Sequence, residues 1–207
     1  MRLIIATSNQ GKLKEIRRIL EGINIPIISL NELDKKFRII ENGKTFLDNA
    51  VKKALPVSSV YTDDYVVSED SGLCVDFLNN APGIFSKRYS GKNATDLKNN
   101  LKLLKELKDI PAKKRIAYYS CSLVLFRGGE LIKSFEGELK GIIDGKMAGE
   151  NGFGYDPVFY LSKYNKTVAQ LLIEVKNNIS HRAKAFKKLK KYLLVYKSKC
   201  CSKKSVC

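Results

Sequence analysis

Glu69-Asp70-Ser71-Gly72 sets two adjacent carboxylates just after the strand-like Tyr65-Val66-Val67, so both acids are expected at a strand's end, with Gly72 turning the chain. A hard cation such as Mg²⁺ takes oxygen ligands and shares itself with waters and substrate phosphates. Glu69 and Asp70 are therefore candidate metal ligands, and Glu41, in the polar turn Glu41-Asn42-Gly43, is a further one. A solvated turn is the alternative. Upstream, Thr7-Ser8-Asn9-Gln10-Gly11-Lys12 joins a strand to a helix, where free backbone N–H groups and the helix dipole favour an anion and Lys12 adds a point charge. Its spacing matches neither the Walker loop nor the dinucleotide fingerprint, so an ordinary strand-to-helix turn stands beside the anion reading.

A third cluster lies far along the chain. Gly149-Glu150-Asn151-Gly152-Phe153-Gly154-Tyr155-Asp156-Pro157 packs three glycines around two aromatics and Asp156, a composition suited to close backbone approach and to stacking on a base, or else to a structural loop. His181, the only histidine, falls in Ile179-Ser180-His181-Arg182 at the first turn of a last helix. The dipole there disfavours imidazolium, so a neutral ring is expected.

The elements that must position these residues are readable from periodicity. Residues 2–7 form a strand, Leu13, Ile16, Ile19 and Leu20 recur at helical spacing, and Thr45 with Asp48 resembles a capping box opening a helix that Pro56 should stop. A third helix has Thr95 or Asp96 as its cap and Leu97, Leu101, Leu104 and Leu107 on one face, with Pro111 beyond it. Residues 115–126 and 131–142 are extended runs joined at Gly128-Gly129, a β-hairpin signal. Residues 144–156 read as irregular, Val158 to Leu161 as a short strand, and the last helix buries Phe186, Leu189, Leu193 and Tyr196. Strands alternate with helices early and run antiparallel in the middle, which predicts an α/β fold: a mixed central β-sheet flanked by helices, in two lobes with the active-site cleft between them. Residues 1–196 form one domain in this reading, and 197–207, KSKCCSKKSVC, form a basic, frayed tail.

Composition narrows the function classes. The chain has 207 residues, 44% hydrophobic and 29% charged, as expected of one globular domain, and its longest nearly apolar run, 116–126, is too short to cross a bilayer. No signal-peptide pattern opens it, so a cytoplasmic location is expected. The five cysteines lack CxxC spacing, and no disulfide framework is expected. A net charge of +17 is compatible with an anionic partner, but Lys98, Lys102, Lys105 and Lys108 fall on the polar face of a helix, and no recognised nucleic-acid motif is present.

Taken in order, Ala6-Thr7-Ser8-Asn9 with Gly11-Lys12, Phe46 with Asn49-Ala50 and Lys53-Ala54, Glu69-Asp70-Ser71-Gly72-Leu73, Ala81-Pro82-Gly83 with Tyr89-Ser90-Gly91, Gly152-Phe153-Gly154-Tyr155-Asp156-Pro157, and Ile179-Ser180-His181-Arg182 resemble the inosine triphosphate pyrophosphatase family, the RdgB-like enzymes, over residues 2–195. The resemblance implies hydrolysis of non-canonical purine triphosphates (ITP, dITP, XTP) to monophosphate and pyrophosphate. Asp70 would be general base or water-orienting carboxylate, and Glu41, Asp70 and Glu69 would hold Mg²⁺. Thr7 to Lys12 and Lys53 would hold the triphosphate, and Ser71 would bind substrate as well. Phe153, Gly154, Tyr155 and Asp156 would form the stacking wall, with Lys176, His181 and Arg182 donating to the keto groups. A homodimer is implied as well, with neither nucleic acid nor membrane as partner. Departures are small: Ser8 stands where many members have glycine, Glu69 where bacterial members often have aspartate, and Val175 where an acid usually precedes the lysine. The alternatives are a related pyrophosphatase acting on other modified nucleotides, pyrimidines included, and a non-catalytic basic nucleic-acid-binding protein.

Overall fold

The β-branched run that opens the chain becomes β1 (Leu3–Ile5), buried on both faces, in a computed structural model that describes residues 1–202, with side chains through 195. A strand covered on both sides suits parallel pairing. β1 indeed pairs in parallel with β2 (Ile27–Ser29) and with β3 (Tyr65–Val75). From β3 onward the pairing is antiparallel, through β4 (Ile116–Arg127), β5 (Glu130–Ile143), β6 (Phe159–Leu161) and β7 (Lys166–Thr167). The mixed sheet has the order β2-β1-β3-β4-β5-β6-β7. Gly128 and Gly129 join β4 to β5 with φ of +60° and +78°, the pair of positive angles that a tight two-residue hairpin turn needs.

Capping residues start the helices, at Thr45 and Thr95 as the sequence predicts and at Asn9 within the segment read as a turn. Asn9 caps α1 (Gln10–Ile19), its Oδ1 accepting from the Lys12 N–H at 3.0 Å. Thr45 and Asp48 form the full capping box of α2 (Phe46–Ser58). That helix runs past Pro56, because a proline in the last turn forfeits one backbone bond while buried Val57 keeps the turn packed. Thr95 caps α3 (Asp96–Glu106), and of the expected leucine face Leu104 and Leu107 pack inward, but Leu97 and Leu101 are 57% and 51% exposed, and Asn99, Asn100 and Leu103 are buried instead. The asparagines go inward because facing loops need partners. Asn99 Nδ2 donates to the Ser86 and Lys87 carbonyls, and Asn100 Nδ2 to that of Gly154. α4 (Ile173–Ile179) has no counterpart in the sequence reading. α5 (His181–Ser202) buries Phe186, Leu189 and Leu193 as expected and continues as helix past residue 196. The expected tail, 197–207, otherwise lies outside the described residues, as does the Tyr196 side chain.

The long strands serve more than one core. Tyr65, Val67, Cys121, Leu123 and Leu125 pack with α1 and α5 on one side of the sheet, while Ile4, Val66, Val124 and Phe126 pack with α2 on the other. Further along the same strands, Leu73, Val75, Ala117, Tyr119, Leu139 and Ile143 join Leu103 and Phe159 in a separate core. Two lobes thus share β3, β4 and β5, and the seam between them falls at Ser68 to Gly72. No helix among the described residues is long and apolar enough to cross a membrane.

Candidate active site

At the seam β3 turns polar, and the alternation of a strand decides what each acid can do. Glu69 and Asp70 lie in the middle of β3, paired with Leu123 and Ser122 of β4, and not at a strand's end. They therefore face opposite sides of the sheet. Gly72 does not turn the chain either. A Cβ there would sit 2.4 Å from the Gly83 carbonyl oxygen and 2.5 Å from Ser86 Oγ, so glycine lets the 83–88 segment close onto the strand. Gly72→Ala is expected to cost about 1–3 kcal/mol from this clash with backbone, seen as a lower melting temperature; an unchanged melt would mean that the segment yields freely.

Asp70 faces the α2 side. Lys53 Nζ lies 3.0 Å from its Oδ1, Asn49 Nδ2 donates to its Oδ2 at 3.1 Å, and the same Lys53 ammonium reaches Glu41 Oε2 at 3.2 Å. Burial pushes the Asp70 carboxyl above its ordinary value, against the opposing pull of Lys53 and Lys12. Burial works against the Lys53 ammonium, but Asp70, Glu69 and Glu41 outweigh it and raise its pKa. Two carboxylates meeting on one cation are the all-oxygen, two-acid set that Mg²⁺ takes when substrate phosphates supply the remainder. The residues fit the ion in that form. Among the described residues no group of three acids, histidines or cysteines gathers as an all-protein metal cage. Glu69 is corrected out of the expected metal set, because strand alternation turns it into a different ion cluster.

That cluster is largely buried, with Lys12, Asp156, Lys176 and Arg182 also lining the cleft. Glu69 Oε1 lies 2.8 Å from Lys12 Nζ and 3.4 Å from the Arg182 guanidinium, which also donates to Glu15 Oε2 at 2.5 Å and to Ser71 Oγ at 3.1 Å. Lys176 Nζ bridges Glu15 at 2.8 Å and Asp156 at 2.6 Å. Burial alone would raise Glu69, yet Lys12 and Arg182 hold its carboxyl well below the usual range. Nε, Nη1 and Nη2 of Arg182 together make four bonds to Glu15, Glu69 and Ser71, leaving one N–H of its five for any ligand. The expected reading of a base by Arg182 is thereby reduced to that single donor.

The aromatic end adjoins this cluster. Lys176 Nζ stands 4.4 Å from the centre of the Phe153 ring, and a Cβ at Gly11, at the start of α1, would sit 3.4 Å from the ring's edge. Asp156 is tied by the Phe153 N–H at 3.0 Å and the Tyr119 hydroxyl at 3.2 Å, and the Tyr155 hydroxyl donates to the Ser86 carbonyl at 2.8 Å. His181 stacks on Tyr119 with ring centres 4.7 Å apart, and its Nδ1 is buried with no hydrogen-bond partner among the described residues. Burial first, and then the Arg182 charge, push the pKa of the ring well below its ordinary value, the direction that favours the neutral form.

A cleft of about 560 Å³ gathers Thr7, Ser8, Asn9, Lys12, Glu41, Lys53, Asp70, Ser71, Phe153, Gly154, Tyr155, Asp156, Lys176, His181 and Arg182 onto one wall system. This volume is of the size that takes a small-molecule ligand. Gln10, exposed at the first turn of α1, Gly11 behind Phe153, and buried Glu69 do not line it. Sequence reasoning missed four contributors: Glu15, the bridging acid of the ion cluster; Asn49; and Lys87 and Arg88, which line the cleft from the other lobe without a carboxylate partner among the described residues. Glu15 had left a trace, as a carboxylate beside Ile16 on the apolar side of α1.

The profile of the Ham1 family matches residues 3–192. The chain belongs to the Ham1 family. It is 44% identical over 192 residues to the dITP/XTP pyrophosphatase of Geobacter sulfurreducens, covering 93% of this chain and 96% of that one. Among solved structures it is similar to the Ham1 protein of Staphylococcus aureus (TM-score 0.85, 38% identity, 95% of this chain and 100% of that one). It is also similar to a HAM1 protein from Coxiella burnetii (TM-score 0.86, 35% identity, 94% and 98%). The Ham1 match covers both lobes, so the seam that carries Asp70 and the loop that carries Phe153 both fall inside it.

Proposed function

We propose that this chain hydrolyses non-canonical purine nucleoside triphosphates (dITP, XTP and ITP) to the monophosphate and pyrophosphate, with Mg²⁺ held by Glu41 and Asp70. The observation that carries this reading is the pairing, in one cleft, of the Asp70 carboxylate between Lys53 and Asn49 with the Phe153 ring flanked by Lys176 and Arg182. One end suits phosphate, the other a base. The name dITP/XTP pyrophosphatase borne by the Geobacter relative points the same way.

The chain's own residues account for the steps. Lys12, the α1 N-terminus and Lys53 hold the triphosphate, with Lys87 and Arg88 meeting it from the facing lobe. The paired cations of the cleft are already balanced by Glu15, Glu41, Glu69, Asp70 and Asp156, so Lys87 and Arg88 supply the uncompensated positive charge. Asp70 takes a proton from the attacking water as its oxygen bonds to the α-phosphorus, and the bond to the β-phosphate oxygen breaks to release pyrophosphate. Mg²⁺ would neutralise charge on the departing group. At the base end Phe153 stacks, while Lys176 and His181 present donors to keto oxygens. An adenine amino group there leaves those donors unpaired, a mismatch that discriminates by about 10⁴-fold or more.

We assign the protein to the cytoplasm, where nucleotide pools reside, and to a homodimer. Leu97 and Leu101, exposed one turn apart on α3, form an apolar stripe that a second copy would cover. Pyrophosphate release with Mg²⁺, measured across ITP, XTP, dITP, ATP, GTP and dCTP, tests the function. Release confined to the first three is expected; release from dCTP alone would move the chain to pyrimidine nucleotides, and none from any would favour a binding protein.

A further inference from the structure

Asn49, one turn into α2, is 1% exposed and uses both ends of its amide. Its Oδ1 accepts from the Gly43 N–H at 2.8 Å, and its Nδ2 donates to Asp70 Oδ2 at 3.1 Å. The orientation is forced, because a backbone N–H can only donate, so the oxygen must face Gly43 and the NH₂ group must face the carboxylate. Gly43 lies two residues beyond Glu41, and Lys53 holds the other Asp70 oxygen at 3.0 Å. A carboxylate left to itself rotates broadly about its last torsion. Here each oxygen carries a donor, and one of the two donors is also the tie to the loop that bears Glu41.

We propose that Asn49 is a positioning residue for the hydrolysis: its NH₂ group fixes the rotation of the Asp70 carboxylate and its carbonyl sets the Glu41 loop in register with it. This rests on the pyrophosphatase reading above. Lys53 neutralises Asp70 but, as a flexible point charge, does not fix its plane; the amide does. Asparagine is the side chain of this length that offers an acceptor and a donor together. Aspartate would keep the bond from Gly43 and set a second carboxylate against Asp70.

The test is Asn49→Asp beside the parent chain, with dITP and XTP as substrates and Mn²⁺ binding to the substrate-free protein read by electron paramagnetic resonance. Misaligned reacting groups lower the rate by about 30-fold or more, so kcat should fall by that factor with KM within about threefold. Mn²⁺ affinity should hold or tighten, since the added carboxylate attracts the cation. A general structural defect would weaken Mn²⁺ binding and kcat together. A kcat within about threefold of the parent, or a loss carried wholly by KM or matched by lost Mn²⁺ binding, overturns the proposal. If N49D gives no cooperative melt, the same split is read from Asn49→Ala, and parental kcat there overturns it equally. A parent that releases no pyrophosphate sinks the functional reading and this proposal together, whereas an active parent with an unimpaired N49D sinks the role of Asn49 alone.

Discussion

Asp70→Asn is expected to lower kcat for dITP hydrolysis by about 10³-fold, within the range a positioned general base contributes. The amide keeps size and planarity but cannot take the proton, and half of it would present N–H groups to Lys53 or Asn49, which are themselves donors. The effect should therefore fall on kcat more than on KM. A pH profile gives a second readout. Burial raises the Asp70 carboxyl above its ordinary value, so the active anion is lost at a higher pH than for a solvated aspartate. kcat/KM of the parent should fall on acidification as the Asp70 anion is protonated, at a pH that bound Mg²⁺ lowers, and that acidic limb should vanish in D70N. Retention of a tenth or more of parental kcat would remove Asp70 from the chemistry.

Arg182→Met should act first on stability. The guanidinium is 1% exposed and compensates Glu15 and Glu69, both buried. Its removal leaves Glu69 with Lys12 and Glu15 with Lys176, two cations for three carboxylates once Asp156 is counted. Breaking a buried pair from one side costs about 3–5 kcal/mol, which for a chain of this size is a melting-temperature loss on the order of 10 °C. Glu15→Gln added to Arg182→Met should restore part of that loss, because the second substitution removes the stranded charge. The pH dependence has a definite sign. Lys12 and Arg182 hold Glu69 well below its ordinary value despite burial, so its contribution is present above the unfolded carboxylate pKa and lost as pH falls toward the low folded value. In R182M that acid-side loss should shrink. A melting temperature within about 2 °C of the parent would show that Glu15 and Glu69 need no guanidinium.

The two substitutions separate what was legible in the sequence from what was not. Local signals carried the helix starts at Thr45 and Thr95, the Gly128-Gly129 hairpin and the buried face of α5, because caps, turns and periodicity act within a few residues. The motif residues of the cleft were likewise legible one segment at a time. The direction of each side chain was not. Whether Glu69 joins Asp70 on a metal or joins Lys12 and Arg182 in a largely buried cluster depends on β3 running unbroken from Tyr65 to Val75, which is decided by its pairing with β4. The buried face of α3 was set by loop carbonyls that needed Asn99 and Asn100, partners 54 positions away in the case of Gly154. The sequence by itself determined the inventory of groups and the local elements that carry them. Only the tertiary structure decided which charges neutralise one another and which remain free for a substrate, because Coulomb and hydrogen-bond pairing depend on distances across the sheet.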